Sequence, residues 1–335
     1  MRSLSSSTLS LMVMTAVMSL TLSSCGDEAK PQVTVGTPAT TNANSVRKLA
    51  FVTNLPADFW NIAKAGVIAA DEELTDCTVE FRTGDGTAAK QKEIVEDLLV
   101  KGVVGIAISP VDAGNQTAML NKAAEKALLV CQDSDAPDSK RAFYLGTDNI
   151  AAGRAAGNLI KEALPKGGTI MAFVGKKDQQ NAKERFQGLN EALKDSQITV
   201  LDLRADDGDR ARAKANAADA LVKYPDLAGM VGLWAYNTPA ILSALKDAGK
   251  LKQVQVVGFD EEEDTLTGVK VGTVHGTVVQ QPYEFGYQSV KLIARQLSGD
   301  KTFLANGTSL FVPTENITAS NVDTFRAKLN KLLGK

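Results

Sequence analysis

The residues with the most chemical potential in this sequence follow short apolar runs. The first run, residues 49–52, has the length of a buried parallel strand, and a polar turn leads from it into two adjacent aromatics. Ligands bind beyond the carboxyl ends of strands in open α/β sheets, so this stretch predicts one wall of a small-molecule site. The alternative is that both rings pack in the core. The candidate residues here are Thr53, Asn54, Asp58, Phe59 and Trp60.

Later apolar runs also end in polar or aromatic residues. These residues are Ser109, Asp133, Ser134, Thr147, Asn237, Phe259, Asp260 and Gln280. Carboxylates and amides offer paired hydrogen bonds to hydroxyl groups, and flat rings cover the apolar faces of a pyranose or furanose. Charge-assisted hydrogen bonds are strong, so a single aspartate can fix the orientation of a neutral ligand. The composition therefore suits a neutral, polyhydroxylated molecule.

Other chemistry has little support in the sequence. The one histidine, His275, lies in an extended segment, and no Gly-x-Ser-x-Gly motif accompanies it, so a catalytic triad is not expected. The sequence has no Cys-x-x-Cys motif, His pair or P-loop, and Gly84-x-Gly86-x-x-Ala89 is better explained as a tight turn than as a dinucleotide motif. A net charge of −2 without a basic patch argues against nucleic-acid binding. We therefore predict a protein that is not an enzyme and has no metal or cofactor.

The elements that must position these residues alternate between strand and helix from residue 49 onward. This alternation predicts parallel sheets covered by helices, with right-handed crossovers. The 335 residues suggest about two domains at roughly 150 residues each. There are too many units for one sheet, so we predict two doubly wound α/β lobes that divide near Asn149. The polar strand ends of the two lobes would then face each other across a cleft.

The N-terminal segment reads as an export signal. Residues 9–22 are apolar but too short for a comfortable membrane span, and they end in Leu22-Ser23-Ser24-Cys25, which resembles a bacterial lipobox. We predict a signal peptide over residues 1–24, a lipid on Cys25 and a flexible tether over 25–46, with the protein held at a membrane by acyl chains. An ordinary signal peptide with a chance cysteine is the alternative.

Two further cysteines, Cys77 and Cys131, fall in the predicted strand regions. An exported protein permits a disulfide between them. They lie in different strand–helix units whose strands are not expected to be neighbours. We therefore favour two buried free thiols.

An ordered set of short motifs runs through the chain. They are Thr53-Asn54, Phe59-Trp60, Ser109-Pro110, Gln132-Asp133, Gly146-Thr147-Asp148-Asn149, Glu184-Arg185, Asn237, Gly258-Phe259-Asp260 and Gln280-Gln281-Pro282. With this set the chain resembles the monosaccharide-binding, ribose-binding-protein-like branch of the type I periplasmic binding proteins, which serve ABC importers. The resemblance covers about residues 47–322.

The resemblance implies a role for each candidate residue. The rings that stack on the sugar would be Phe59 and Trp60, with Phe259 closing from the other lobe. The hydrogen-bond acceptors would be Asp133 and Asp260, the donors or bridges Arg185, Asn237 and Gln280, and the rim residues Thr53 and Thr147. If Trp60 serves only the site, Trp60→Ala should weaken binding with little change in melting temperature.

Three positions depart from the pattern of ribose binders. Asp58 and Ser109 stand where those proteins carry asparagines, and Ser134 replaces an arginine. The loss of that arginine removes a planar fork of donors. A site that pairs specific hydroxyls rejects analogues that leave its buried groups unpaired, at about 1–3 kcal/mol for each group. We therefore expect a ligand other than ribose.

The same resemblance implies how the chain divides. The first lobe would take residues 47–147 and 281–307, the second 148–280 and 308–322 with a last strand near 310–312, and 323–335 would form a tail or helix. The three crossings would make a hinge that closes on the ligand, and the permease of an ABC importer would recognise the closed, monomeric form. The alternatives are a protein that feeds a membrane sensor, or a binder of a nucleoside, inositol or autoinducer.

Overall fold

Strands and helices alternate throughout the part of the chain that the computed structural model describes, residues 46–334. These residues all belong to one unit, Asn44–Lys335. The strands are β1 (Arg47–Val52), β2 (Cys77–Arg82), β3 (Gly105–Ile108), β4 (Leu128–Gln132), β5 (Phe143–Gly146), β6 (Gly168–Val174), β7 (Ile198–Ala205), β8 (Gly229–Gly232), β9 (Gln255–Phe259), β10 (Gly276–Val279), β11 (Ser309–Phe311) and β12 (Glu315–Ile317).

The helices follow the strands as the apolar periodicity predicts. They are α1 (Phe59–Glu73), α2 (Ala88–Val100), α3 (Ala113–Ala124), α4 (Asn149–Ala163), α5 (Gln180–Leu193), α6 (Arg210–Lys223), α7 (Asn237–Asp247), α8 (Glu263–Val271), α9 (Pro282–Leu297) and α10 (Val322–Leu332). Several begin at a residue whose side-chain oxygen accepts a backbone N–H, as Asp148 does for α4. The helix α8 ends at Gly272, which adopts a positive φ of 77°. The segment around His275, which is expected to be extended, contains only the strand β10, and this strand begins at Gly276.

Two six-stranded sheets repeat one topology. The first has the order β11-β5-β4-β3-β1-β2 and the second β12-β10-β9-β8-β6-β7. All pairings are parallel except that of β12 with β10. Separate apolar clusters pack on the two faces of each sheet. The predicted fold of two doubly wound parallel-sheet lobes is confirmed.

The chain passes between the sheets three times. It leaves the first sheet after β5, returns after β10, and crosses again between β11 and β12. The strand expected near 310–312 was assigned to the wrong lobe. Residues 309–311 pair with β5 in the first sheet, and the strand that joins the second sheet is β12, which pairs with β10. The C-terminal helix α10 packs on α8 of the second lobe.

Several predictions concern segments away from the cleft. Within residues 46–334, Cys77 and Cys131 are both buried free thiols. The signal peptide, Cys25 and nearly all of the tether lie outside the described residues. Among the helices of the described part, none is long and apolar enough to cross a bilayer.

Candidate functional site

The carboxyl ends of the strands of both sheets meet around one cavity. Its lining comes from both lobes and consists of Asn54, Leu55, Ala57, Phe59, Trp60, Asp133, Asn181, Arg185, Trp234, Ala235, Tyr236, Asp260 and Gln280. Seven of the predicted site residues are therefore brought together: Asn54, Phe59, Trp60, Asp133, Arg185, Asp260 and Gln280.

Asp133 and Asp260 occupy equivalent turns of the two lobes. Asp133 follows β4, the third strand from the β11 edge of its sheet, and Asp260 follows β9, the third strand from the β12 edge. Both residues have left-handed backbones, with φ of 59° and 64°. Aspartate tolerates this conformation better than most residues. The backbone carbonyl of each accepts a hydrogen bond of 2.8 Å from a hydroxyl of the adjacent strand, that of Tyr144 or Thr277. The same support thus aims one carboxyl from each lobe at the cavity.

Both carboxyls are almost fully buried, with exposed fractions of 4% for Asp133 and 3% for Asp260. Ser109 Oγ donates to Asp133 Oδ2 at 2.7 Å, and Gln280 Nε2 donates to Asp260 Oδ1 at 2.9 Å. Burial raises the pKa of Asp133 to about 6, against the lowering effect of the Arg185 charge. Burial likewise raises the pKa of Asp260, again opposed by Arg185. Each carboxylate keeps acceptor capacity for a ligand, because an ionised carboxyl offers about four lone-pair sites and these bonds occupy only some of them.

Arg185 is a fully buried cation whose charge acts on both of these acids. Its Nε donates to Asn149 Oδ1 at 3.0 Å and its Nη1 donates to the carbonyl oxygen of Leu233 at 2.8 Å. The guanidinium lies over the Phe259 ring, 4.5 Å from the centroid. Its Nη2 has no hydrogen-bond partner in the described part of the chain, although it is buried. Arg185 therefore presents one oriented donor at a cavity that also contains the two acids.

Phe259 does not take the place that the resemblance implies. It is fully buried in the core of the second lobe and does not line the cavity. The Arg185 guanidinium covers its ring instead. The ring therefore supports a cation rather than stacking on a ligand.

Phe59 and Trp60 serve the core and the cavity together. Both belong to an apolar cluster of the first lobe, and both line the cavity. The two rings meet edge to face at 5.0 Å between centroids, and Trp60 also packs edge to face against Phe51. The indole N–H of Trp60 donates to Asn54 Oδ1 at 2.9 Å. The interpretation that both rings pack in the core is therefore confirmed, and because the rings also line the cavity, their contact with a ligand stays a prediction.

The aromatic wall of the second lobe comes from residues that sequence reasoning did not select. Trp234 and Tyr236 follow β8 and line the cavity. The Tyr236 hydroxyl donates to Asp206, whereas the indole N–H of Trp234 has no partner among residues 46–334. Asn181, at the start of α5, adds an unpartnered Oδ1 to the lining. The available signal was the aromatic pair after an apolar run, the same signal that selected Phe59 and Trp60.

Other predicted residues lie behind the lining and brace it. Thr53 Oγ1 accepts the Gly84 N–H at 3.2 Å, and Thr147 Oγ1 donates to Gln280 Oε1 at 3.0 Å. Neither threonine lines the cavity.

Asn237, Ser109 and Ser134 also lie outside the lining. Asn237 Oδ1 accepts a hydrogen bond of 3.0 Å from the backbone N–H of Trp234, and Asn237 Nδ2 donates to Asp206 Oδ2 at 2.8 Å. Ser109 donates to the Asp133 carboxyl and therefore affects the cavity only through that residue. Ser134 is buried, and its Oγ has no partner within the described residues. Asn237 and Ser109 therefore hold other groups in place, and none of the three residues lines the cavity.

Asp58 is exposed and lies outside the cavity, in contrast to its predicted place in the site. It lines an open groove on the outer side of Trp60, together with Arg210 of the second lobe. The pKa of Arg210 is raised mainly by its hydrogen bond to Glu262, with a smaller contribution from the Asp58 charge. Asp58 lies outside because α1 begins just after it and turns the side chain toward solvent.

The dual position of Trp60 changes the expected effect of its removal. We expect Trp60→Ala to weaken ligand binding and also to lower the free energy of unfolding by about 3–5 kcal/mol, because a buried ring is lost from the core. Trp60→Phe should keep most of this stability while losing the bond to Asn54. Urea unfolding and calorimetric titration of both variants measure the two effects. An unchanged stability for Trp60→Ala would contradict the packing described above.

Two matched lobes around a cavity that combines apolar walls with buried charged groups define a solute-binding protein. Residues 50–301 match the model of the periplasmic binding protein domain, and the chain belongs to this family of exported proteins. The ribose import binding protein RbsB of Salmonella typhimurium is 28% identical over 273 residues, 80% of this chain and 91% of that protein. The chain thus falls in the ribose-like branch of the type I proteins and is a binding protein rather than an enzyme.

Solved structures agree with this placement. An ABC transporter solute-binding protein from Burkholderia graminis, in complex with D-arabinose, is 25% identical, with a TM-score of 0.77 over 84% of this chain and 98% of that chain. One from Agrobacterium vitis, with bound D-fucose, is 26% identical, with a TM-score of 0.78 over 84% and 99%. The resemblance seen in the sequence is confirmed at the level of fold and family.

Proposed function

We propose that this protein is a lipid-anchored receptor that captures a monosaccharide or similar polyol between its lobes and delivers it to an ABC importer. The relatives support this reading, since one is a ribose import protein and two solved neighbours contain D-arabinose or D-fucose. The ligand-binding residues are those of the cavity, with the bracing residues behind them.

The observation that carries the proposal is the meeting of Asp133, Arg185 and Asp260 at one cavity walled by indole rings. Hydroxyl groups donate to the two carboxylates and accept from the free Nη2 of Arg185 and the free N–H of Trp234. The rings of Trp60 and Trp234 offer flat apolar surfaces of the kind that cover the faces of a sugar ring. Acceptors, donors and apolar faces are thus combined in one enclosed space, which is what a polyol requires.

The same arrangement explains how the two lobes close on a ligand. Leu55 of the first lobe packs in the apolar cluster that contains Trp234 and Tyr236 of the second, so the lobes touch across the cleft. A ligand held by both lobes favours this form, because only here do both sets of residues contact it. The three chain crossings are the natural hinge.

A thermal-shift screen against monosaccharides, polyols and nucleosides tests the proposal. A ligand that binds only the folded form raises the melting temperature, because it stabilises that form. The stabilisation is about 2.7 kcal/mol at a ligand concentration of one hundred times Kd. We expect one or a few monosaccharides to give this shift, with ribose not the best. Sugar that is recovered chemically unchanged supports binding, whereas a screen in which only nucleosides or no compounds act contradicts the proposal.

The lipid anchor is tested through Cys25. We expect Cys25→Ser to release the protein from the membrane fraction, because one thioether-linked lipid group supplies the attachment. Cell fractionation followed by immunoblotting measures the distribution. Ser24→Ala, which keeps the cysteine, is the matched control. A Cys25→Ser protein that stays with the membranes would refute the anchor.

A further inference from the structure

A second crevice lies behind the cavity, on the side of the hinge. It is narrow and is bounded by both lobes. Ile62 and Tyr283 form the wall from the first lobe, while Phe325 and Leu329 of α10 form the wall from the second. Gln280 and Gln281, at one of the chain crossings, connect the two walls. Any rotation of the lobes about the crossings changes the width of this crevice.

Glu261 is a buried acid in this otherwise largely apolar crevice. Its exposed fraction is 7%, and its Oε2 has no hydrogen-bond partner in the part of the chain that the structure describes. The nearest charged groups on its own segment are Asp260 and Glu262, both acidic. Across the crevice, α1 and α9 contribute Ile62, Pro282 and the neutral phenol of Tyr283. The α10 wall contributes one cation, the exposed Lys328, which forms no ion pair with Glu261 within residues 46–334.

An ionised carboxylate in this position is costly. Removing a charge from water without a partner costs several kcal/mol, and two neighbouring acids add repulsion. Burial, followed by the charges of Asp260 and Glu262, raises the pKa of Glu261 well above its ordinary value. When the wall formed by Ile62 and Tyr283 moves away, water reaches the carboxyl and the cost falls. The closed form therefore carries a penalty that the open form does not.

We propose that Glu261 sets the affinity of the receptor by opposing closure of the hinge when its carboxyl is ionised. The residue does not line the ligand cavity, and although its charge also acts on the neighbouring Asp260, we expect its main effect to be on the balance of open and closed forms. The inference rests on the proposed function, since affinity depends on closure only if the ligand is held between the lobes. It identifies a positioning residue rather than a ligand contact.

The pH dependence follows from the direction of the pKa shift. Because the pKa of Glu261 is higher in the closed form, closure takes up a proton. Affinity is highest where both forms are protonated, below the ordinary glutamate pKa of about 4.5. It decreases as the pH rises from there toward the closed-form pKa. Asp133 and Asp260 add pH effects of their own, so the informative quantity is the difference between wild type and a variant at position 261.

The test compares Glu261→Gln with wild type by calorimetric titration of the sugar found in the screen, between pH 5 and pH 8.5. We expect Glu261→Gln to bind about tenfold more tightly at pH 8.5, the equivalent of one unit of pKa shift, with the difference shrinking toward pH 5. Titrations in buffers of different ionisation enthalpy should show less proton uptake by the variant. Asp264→Asn, an exposed acid three residues later, is the matched control and should behave as wild type.

Small-angle scattering of the ligand-free proteins gives a second readout that needs no ligand. Glu261→Gln should have a smaller radius of gyration than wild type at pH 8.5, because closure is no longer opposed. Equal or weaker affinity of the variant at pH 8.5 would overturn the inference, as would an unchanged radius. If no sugar binds to either protein, the proposed function fails, and the scattering comparison still decides the role of Glu261.

Discussion

Replacing Asp260 by asparagine is expected to lower the affinity for the bound sugar by about ten- to one-hundredfold. The charge-assisted hydrogen bond to a ligand hydroxyl contributes about 1.5–3 kcal/mol, and a neutral amide gives up most of it. Asparagine tolerates the left-handed backbone of this turn, so the main chain stays in place. Its Oδ1 can still accept from Gln280.

The stability of the ligand-free protein should change little with Asp260→Asn, by about 1 kcal/mol at most. Burial raises the pKa of Asp260 despite the opposing effects of Arg185 and Gln280, so on balance the surroundings disfavour the charged form. Calorimetry gives the affinity and urea unfolding gives the stability. Asp207→Asn is the control, because Asp207 has φ of 58° but is exposed and paired with Arg212. Full affinity in Asp260→Asn would remove this residue from the site.

Replacing Arg185 by methionine is expected to abolish binding, with a loss of more than about one hundredfold, and to destabilise the fold. The change leaves Asn149 Oδ1 and the Leu233 carbonyl without their donor, at about 1–3 kcal/mol for each buried group. It also removes the cation that opposes the raised pKa values of Asp133 and Asp260. We therefore expect a loss of about 2–5 kcal/mol in the free energy of unfolding at pH 8.

Acid should partly rescue Arg185→Met. Without the cation the folded-state pKa of Asp133 rises further above the value of the unfolded chain, so the penalty exists where the carboxyl is ionised and fades as the pH falls. Urea unfolding at pH 5 and pH 8 measures this difference. Arg154→Met, which removes an exposed ion pair with Glu191, should cost at most about 1 kcal/mol at either pH. Equal destabilisation of the two variants would argue against a special role for Arg185.

The alternation of strands and helices made most of the fold predictable. Apolar runs of four to eight residues separated by amphipathic stretches leave few arrangements other than parallel sheets with helices on both faces. The last two strands carry no such pattern, because each has only three residues and is partly exposed. Their sheet is decided by pairing with β5 and β10, partners that are far away in the sequence. The assignment near residue 310 failed for this reason.

The two acids of the site were predictable because each stands directly after a strand, although the same position also selected Thr53, Ser109 and Thr147, which do not line the cavity. A side chain within a strand was not predictable in this way. Asp133 and Asp260 follow β4 and β9, and both reach the cavity. Phe259 is the last residue of β9 and shares a face with Val257, two positions earlier, within the core. Strand periodicity therefore directs it away from the cleft. Trp234 and Tyr236 were not predicted as site residues, because the resemblance to sugar-binding proteins selected the neighbouring Asn237 instead.

The crossing between β11 and β12 has a consequence for how the protein is made. Neither sheet gains its last strand until the ribosome has translated residues 309–317, so both halves remain incomplete on a nascent chain that already contains more than nine-tenths of the sequence. Contacts between residues so distant form late and slow the folding reaction. Cleavage at any one peptide bond therefore cannot give two fragments that each contain one complete lobe. Truncation before residue 309 would leave two sheet edges unpaired at once, and such edges invite aggregation.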